Sequence, residues 1–222
     1  MRFAPAIDEE IKPSLRGVSH QVAFFAALVG GVGLLPVAPA ARAAWAGLIY
    51  ALSLAGMYGI SATYHRLNWS LSARRRMRRL DHAGIFLLIA GTYTPVCVLG
   101  LPGSRGLVLL AVVWVGAALG LLHAMLFVNA FRSLNAALYV VLGCAALPFL
   151  PSFAAGLGAL HTTLLLTGGV VYVAGAVVYA RRRPNPWPRV FGYHEVFHAL
   201  VIIASTLHFA TVFDLVAKAQ PG

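Results

Sequence analysis

Apolar residues run through this chain in long blocks, without the alternation of a half-buried strand or the single stripe of a surface helix, and polar residues gather in short segments between the blocks. A helix crosses a hydrocarbon core of about 30 Å in roughly 20 residues. Seven blocks meet that length: Val18 to Val37, Trp45 to Tyr64, Leu80 to Leu99, Gly106 to Val128, Leu134 to Phe153, Leu160 to Ala180 and Tyr193 to Asp214. The pattern predicts an all-α integral membrane bundle of seven transmembrane helices, a single domain over residues 1–222 with a short tail at 1–17. No fixed-period repeat interrupts it, and the one Pro-rich linker is Pro184-Asn185-Pro186-Trp187-Pro188, before the last block.

Composition agrees with this reading: 60% of the residues are hydrophobic and 10% charged, and the mean hydropathy of +0.81 excludes a soluble globular domain. A net charge of +11 would otherwise point to nucleic acid, but the basic residues lie between apolar blocks and are not interleaved with aromatics, so no nucleic-acid partner is expected. They act as topology signals. One side of the membrane receives fourteen of them, Arg2, Lys12, Arg16, Arg66, Arg74, Arg75, Arg76, Arg78, Arg79, Arg132, Arg181, Arg182, Arg183 and Arg189, and the other only Arg42, Arg105 and Lys218. The positive-inside rule then sets the N-terminus in the cytoplasm and the C-terminus outside, in a multi-pass protein of the inner (plasma) membrane. Ala38-Pro39-Ala40 resembles a signal-peptidase site, but the preceding run is longer than a signal h-region and the tail carries Asp8, Glu9 and Glu10, so the first block is expected to remain as a span. Cys97 and Cys144 fall in separate blocks without C-x-x-C spacing and read as small buried hydrophobes.

Five polar residues stand out at block ends. Ser61 and His65 are four apart, as are His194 and His198, so each pair shares one helix face; Asp81 opens the third block. With the N-terminus inside, all five come to the same cytoplasm-proximal depth, within a helical turn or two. Ionisable residues inside spans are costly and mark functional sites by default. His65, His194 and His198 offer three neutral imidazoles with an open fourth position, the ligand set of a catalytic zinc ion. Asp81 would offset the ion's charge, as a ligand or through water, and Ser61 would bond a water, an imidazole or a substrate carbonyl. Blander roles exist for the last two: Asp81 as a helix cap, and Ser61 bonded to backbone or to a neighbouring helix. His82 points about 100° away from Asp81, and His208 lies about 15 Å beyond His198 along a helix. With His20, His123 and His161, these are expected to make interhelical or interfacial hydrogen bonds. Gly116 and Gly120 form a small-x-x-x-small pair suited to close helix packing.

The stretches Ser61-x-x-x-His65, Asp81-His82-Ala83-Gly84-Ile85-Phe86 leading to Ala90-Gly91-Thr92-Tyr93-Thr94-Pro95, and His194-Glu195-Val196-Phe197-His198 followed by His208-Phe209 together resemble the haemolysin-III branch of the progestin and adipoQ receptor family. The resemblance covers nearly the whole chain. It implies a zinc ion near the cytoplasmic face held by His65, His194 and His198, with Asp81 and Ser61 as polar partners, and kinship with intramembrane hydrolases of lipid amides or esters that serve membrane homeostasis.

The leading expectation is therefore a zinc-dependent, ceramidase-like hydrolase with membrane lipids as partners and substrate. In it Asp81 accepts the proton of water and Ser61 orients water or oxyanion. His194-Glu195-Val196-Phe197-His198 also spells H-E-x-x-H, the metalloprotease signature in which Glu is general base, although here Glu195 is expected at the interface beside the basic loops. A membrane-state sensor with zinc as a structural clamp between the second and seventh spans is the non-enzymatic alternative. A pore-forming cytolysin fits least, because the chain reads as permanently multi-span.

Overall fold

The computed structural model describes residues 12–101, 103–127 and 132–220. Asp8, Glu9 and Glu10 of the tail and the Val128 end of the fourth predicted span lie outside them. The order is α1 (Val18–Leu34), α2 (Ala41–Arg66), α3 (Leu71–Gly100), α4 (Ser104–Phe127), α5 (Arg132–Gly143), a 3-10 helix (Cys144–Phe149), α6 (Leu150–Arg181) and α7 (Tyr193–Ala217). Among the described residues the only β pairing is an isolated bridge between Trp187 and Phe191. Five helical stretches are long and apolar enough to cross a membrane: Ala41–Arg66, Leu71–Gly100, Ser104–Phe127, Leu134–Arg181 and Tyr193–Ala217; the apolar Val18–Leu34 is shorter.

Hydropathy locates the lipid-facing part of a helix, and the helices themselves extend further. α3 starts at Leu71 where the apolar block starts at Leu80, because arginine is a good helix former and the Arg-rich segment follows an N-cap, Ser70, whose hydroxyl accepts the Ala73 N–H at 3.4 Å. The fifth and sixth blocks differ more. The expected continuous helix over Leu134 to Phe153 is broken into α5, the 3-10 helix and the first turns of α6, and α6 is itself interrupted at Gly158 (φ 75°, ψ 172°). Pro148 has no N–H to give a helix, and only glycine adopts such a backbone without strain. The break is satisfied from α3: the Tyr93 hydroxyl donates to the Gly143 carbonyl at 2.6 Å and accepts from the Ala146 N–H at 3.0 Å. In an apolar environment irregular backbone persists only where protein groups replace the lost bonds in this way.

The helix surfaces are inverted relative to a soluble protein. Val22, Val29, Val32, Val112, Val115, Leu119 and Val170 are each more than half exposed, while alanine, glycine, serine and histidine line the contacts between helices. Lipid supplies no hydrophobic drive between helices, so close packing of small residues and interhelical hydrogen bonds hold the bundle. A Cβ on Gly91 would lie 1.9 Å from Ser53 Oγ of α2, and one on Gly120 would lie 2.2 Å from Phe86 of α3. Gly116 abuts Leu142 in the same manner, so the Gly116/Gly120 pair does mark close packing. α7 packs against α1, α2, α3 and α6. Tyr58 and Ser205 hydrogen-bond across α2 and α7. This central place for α7 carries its first two turns into the middle of the site.

Candidate metal centre

α2 ends at Arg66, so His65 sits in its last turn and Ser61 one turn earlier; α7 starts at Tyr193, so His194 and His198 occupy its first and second turns. The two helices meet there. His65 Nε2 and His194 Nε2 are 3.1 Å apart, and one ligand nitrogen from each of His65, His194 and His198 lies within 4.8 Å of the others. Two nitrogens at ~2.0 Å from a tetrahedral zinc are themselves about 3.3 Å apart, so this spacing suits an ion. His198 is 1% exposed, and its Nδ1 has no hydrogen-bond partner. A buried imidazole without its bonds is costly in isolation, and a cation at the group would use this donor set. The three histidines can hold a metal ion.

Asp81 lies outside that trio, with Oδ2 3.7 Å from His65 Nε2. That distance suits a partner acting through water more than a direct ligand. Because α3 begins at Leu71, Asp81 is well inside the helix and does not cap it; Ser70 does. Ser61 is 3% exposed, hydrogen-bonds His20 at 2.9 Å between Ser61 Oγ and His20 Nδ1, and lines the same end of the bundle's cavity as Asp81. All five residues singled out from the sequence thus converge, from three helices.

His20 is the participant that sequence spacing could not find. It lies in α1, 2% exposed, with its ring stacked on His198 at 3.6 Å between centroids and 12° between planes. It has no second polar residue at helical spacing, and only packing of α1 against α7 brings it to the group. The other histidines make interhelical contacts: His82 Nδ1 with the Tyr139 hydroxyl at 3.0 Å, His208 Nε2 donating to the Leu165 carbonyl at 3.1 Å, and His161 Nε2 with Asp214 at 2.8 Å. His82 is buried in the bundle, and its bond to Tyr139 joins α3 to α5. His123 faces Phe127. Cys97 is 2% exposed, as a small hydrophobe would be, whereas Cys144 is half-buried at the helix break; both are free thiols.

Glu195, expected beside the basic segments, does pair with one of their residues, Arg16, and is buried at 1% exposure. Its Oε1 pairs with Arg16, and its Oε2 accepts the N–H of Gly192 at 2.8 Å, closing the start of α7. A carboxylate with both oxygens committed to a cation and a helix terminus is not poised as a metalloprotease base. Burial is tolerated because Arg16 supplies the opposite charge. The same segment crosses the site, with Ser14 N–H on the Arg189 carbonyl at 3.0 Å and Leu15 N–H on that of Val190 at 3.2 Å. Gly17 (φ 80°) lies so close that a Cβ there would sit 2.6 Å from His65 Cβ. Residues before α1 therefore brace His65 from outside while α7 faces it from within.

Around this end stands a cationic rim. Burial, together with the nearby guanidiniums of Arg66, Arg74 and Arg16, pushes the Lys12 ammonium below its ordinary pKa. Inward from the histidines runs a cavity of about 630 Å³, reached by Arg16, Ser61, His65, Asp81 and His198 at one end and by Leu88, Val96, Phe153, Leu165, Val173 and His208 deeper in the bundle. The candidate metal ligands stand at one end of a chamber whose remaining lining is mostly apolar, with Thr92, Tyr93, Tyr172 and His208 among it.

A family model described as haemolysin-III related matches residues 9–209. The chain belongs to the haemolysin-III-related family. Within it, the hemolysin-3 homolog of Bacillus subtilis (strain 168) is 28% identical over 215 residues, covering 96% of this chain and 96% of the relative. Hemolysin-3 of Bacillus cereus is 29% identical over 164 residues, covering 74% and 72%. The heptahelical transmembrane protein ADIPOR2 of Oryza sativa subsp. japonica is 30% identical over 186 residues, covering 76% and 80%. The family thus extends to the progestin and adipoQ receptor group, as the motifs around His65, Asp81 and His194 imply. This haemolysin-III-related chain is a multi-pass membrane protein by its family and its apolar helices.

Proposed function

We propose that this chain is a seven-span protein of the inner (plasma) membrane that hydrolyses lipid amides or esters at a zinc site near the cytoplasmic face. The observation that carries the reading is the chamber in which His65, His194 and His198, Asp81 and Ser61 stand at one end and mostly apolar side chains line the rest. A lipid carbonyl is the reacting group that suits a polar end, and an acyl chain suits the apolar remainder. Bound zinc would supply Lewis acidity and a water acidified toward a pKa of about 7. Asp81 accepts the proton released by water, and Ser61, at the same end of the chamber, orients that carboxylate or the water. The apolar lining of the chamber would limit bulk water at the reacting carbonyl.

Three features support seven crossings. The stretch Leu134–Arg181 has 48 residues; a straight helix of that length would run about 72 Å, more than twice the core thickness. Its breaks at 144–149 and at Gly158 are where two passes would be joined. α1, with 17 residues, is at the lower end of spanning length. The fourteen-to-three charge division supports a cytoplasmic N-terminus. A reporter fused after Gly222 is expected to be active only outside the cytoplasm, and one inserted between Arg74 and Arg79 only inside; the reverse pattern refutes the orientation.

Incubating the purified protein with lipid amides and esters, with and without chelator, tests the activity. Release of fatty acid that chelation abolishes and zinc restores is the expected result. Zinc-loaded protein that releases none from any of these lipids leaves the clamp reading, in which zinc joins α2 to α7 without chemistry.

A further inference from the structure

We propose that His20 is a positioning residue of the metal centre, its stacked ring holding the plane of His198 and its Nδ1–H holding the Ser61 hydroxyl towards Asp81. The half concerning Asp81 rests on the function proposed above; the half concerning His198 needs only that the three histidines bind metal. His20 is buried at 2% exposure in α1, a helix that contributes none of the three candidate ligands. Two contacts define what it can do. Its ring lies flat on His198 at 3.6 Å and 12°. Its Nδ1 is 2.9 Å from Ser61 Oγ, and Ser61 shares the polar end of the cavity with Asp81.

The donor order follows from the chemistry of the groups. As the base of the proposed reaction Asp81 is ionised and only accepts; the one O–H of Ser61 then turns to Asp81, and the contact with His20 is filled by an N–H from the imidazole. This assigns His20 the neutral tautomer protonated on Nδ1. Its Nε2 is then a bare lone pair, and Nε2 is the nitrogen that is buried without a partner. A chain His20→Ser61→Asp81 results, ending 3.7 Å from His65. Partners one bond removed from a metal site fix the orientation of the groups that act there, and their loss costs about 10- to 100-fold in metal affinity or activity. The stack acts on the ligand His198 and the hydrogen bond acts on Asp81, so the two effects are separable.

Two substitutions separate them in the full-length protein. His20→Asn retains a donor near the Nδ1 position and removes the ring; His20→Phe retains a ring and removes the donor. Zinc affinity by chelator competition and the visible spectrum of the cobalt-substituted protein report on His198. The carboxylate stretching band that disappears in Asp81→Asn reports on Asp81, whether or not any lipid is hydrolysed. His20→Asn is expected to weaken zinc binding about 10-fold or more and alter the cobalt spectrum, leaving the Asp81 band in place. His20→Phe is expected to shift the Asp81 band, with zinc affinity and cobalt spectrum close to native. Native values of all three readouts in both variants overturn the proposal. So do changes that follow melting temperature equally in both, since those report packing alone. Absence of hydrolysis in the native protein would count against the reaction proposed above, and the metal and infrared readouts would still decide the role of His20.

Discussion

His194→Ala and His198→Ala are each expected to yield protein without zinc, where the native chain should carry close to one ion per molecule. Both residues lie on α7 and His65 lies on α2, so removing either leaves two imidazoles to compete with water and chelators for the ion. The loss of affinity should exceed the 10- to 100-fold typical of residues that merely support a ligand, so more than about 100-fold. His208→Ala is the control: it sits on the same helix, but its Nε2 is committed to the Leu165 carbonyl, and it should retain zinc. Elemental analysis of the purified variants provides the check. Full occupancy in both His194→Ala and His198→Ala would remove the metal centre from consideration. Because the ion would tie α2 to α7, chelation should also lower the melting temperature of the native protein and leave that of the two emptied variants unchanged.

Asp81→Asn is expected to keep fold and zinc and to lose the proposed hydrolysis. The amide preserves the shape of the side chain but cannot accept a proton, and a positioned general base contributes about 10²- to 10⁴-fold. Zinc should persist because Asp81 stands 3.7 Å from His65 Nε2, beside the trio and outside it. Ser61→Ala should cost less than Asp81→Asn, since it removes a group that orients the base and leaves the base itself. Zinc content, melting temperature and fatty-acid release measured together distinguish chemistry from clamping. Under the clamp reading, thermal stability follows zinc content in all variants and no product forms with the native residues. Native-level hydrolysis by Asp81→Asn would refute the assignment of the base.

The order of apolar blocks determined much about this protein, because a ~30 Å hydrocarbon core imposes a minimum length that sequence displays directly. The helical class follows, as does the shared level of Ser61, His65, Asp81, His194 and His198, since all five sit at block ends that fall on one side if the chain crosses at each block. Helical spacing paired Ser61 with His65 and His194 with His198. Hydropathy could not place helix ends, because the Arg-rich start of α3 is helical without being apolar, nor could it foresee the breaks at 144–149 and Gly158. These depend on Tyr93 of α3 replacing backbone bonds from another part of the chain. Three matters were decided only by tertiary packing. Glu195 belongs to a motif that suggests a catalytic base, and contact with Arg16 and the Gly192 N–H commits it to holding α7 in place. Asp81 resembles a helix cap until the true cap, Ser70, is seen a few turns earlier. His20 carries no spacing signal at all, because its partners Ser61 and His198 lie on other helices and the stack exists only where α1 and α7 meet. Periodicity reports neighbours along one helix, whereas a site assembled from four helices is specified by which faces pack together.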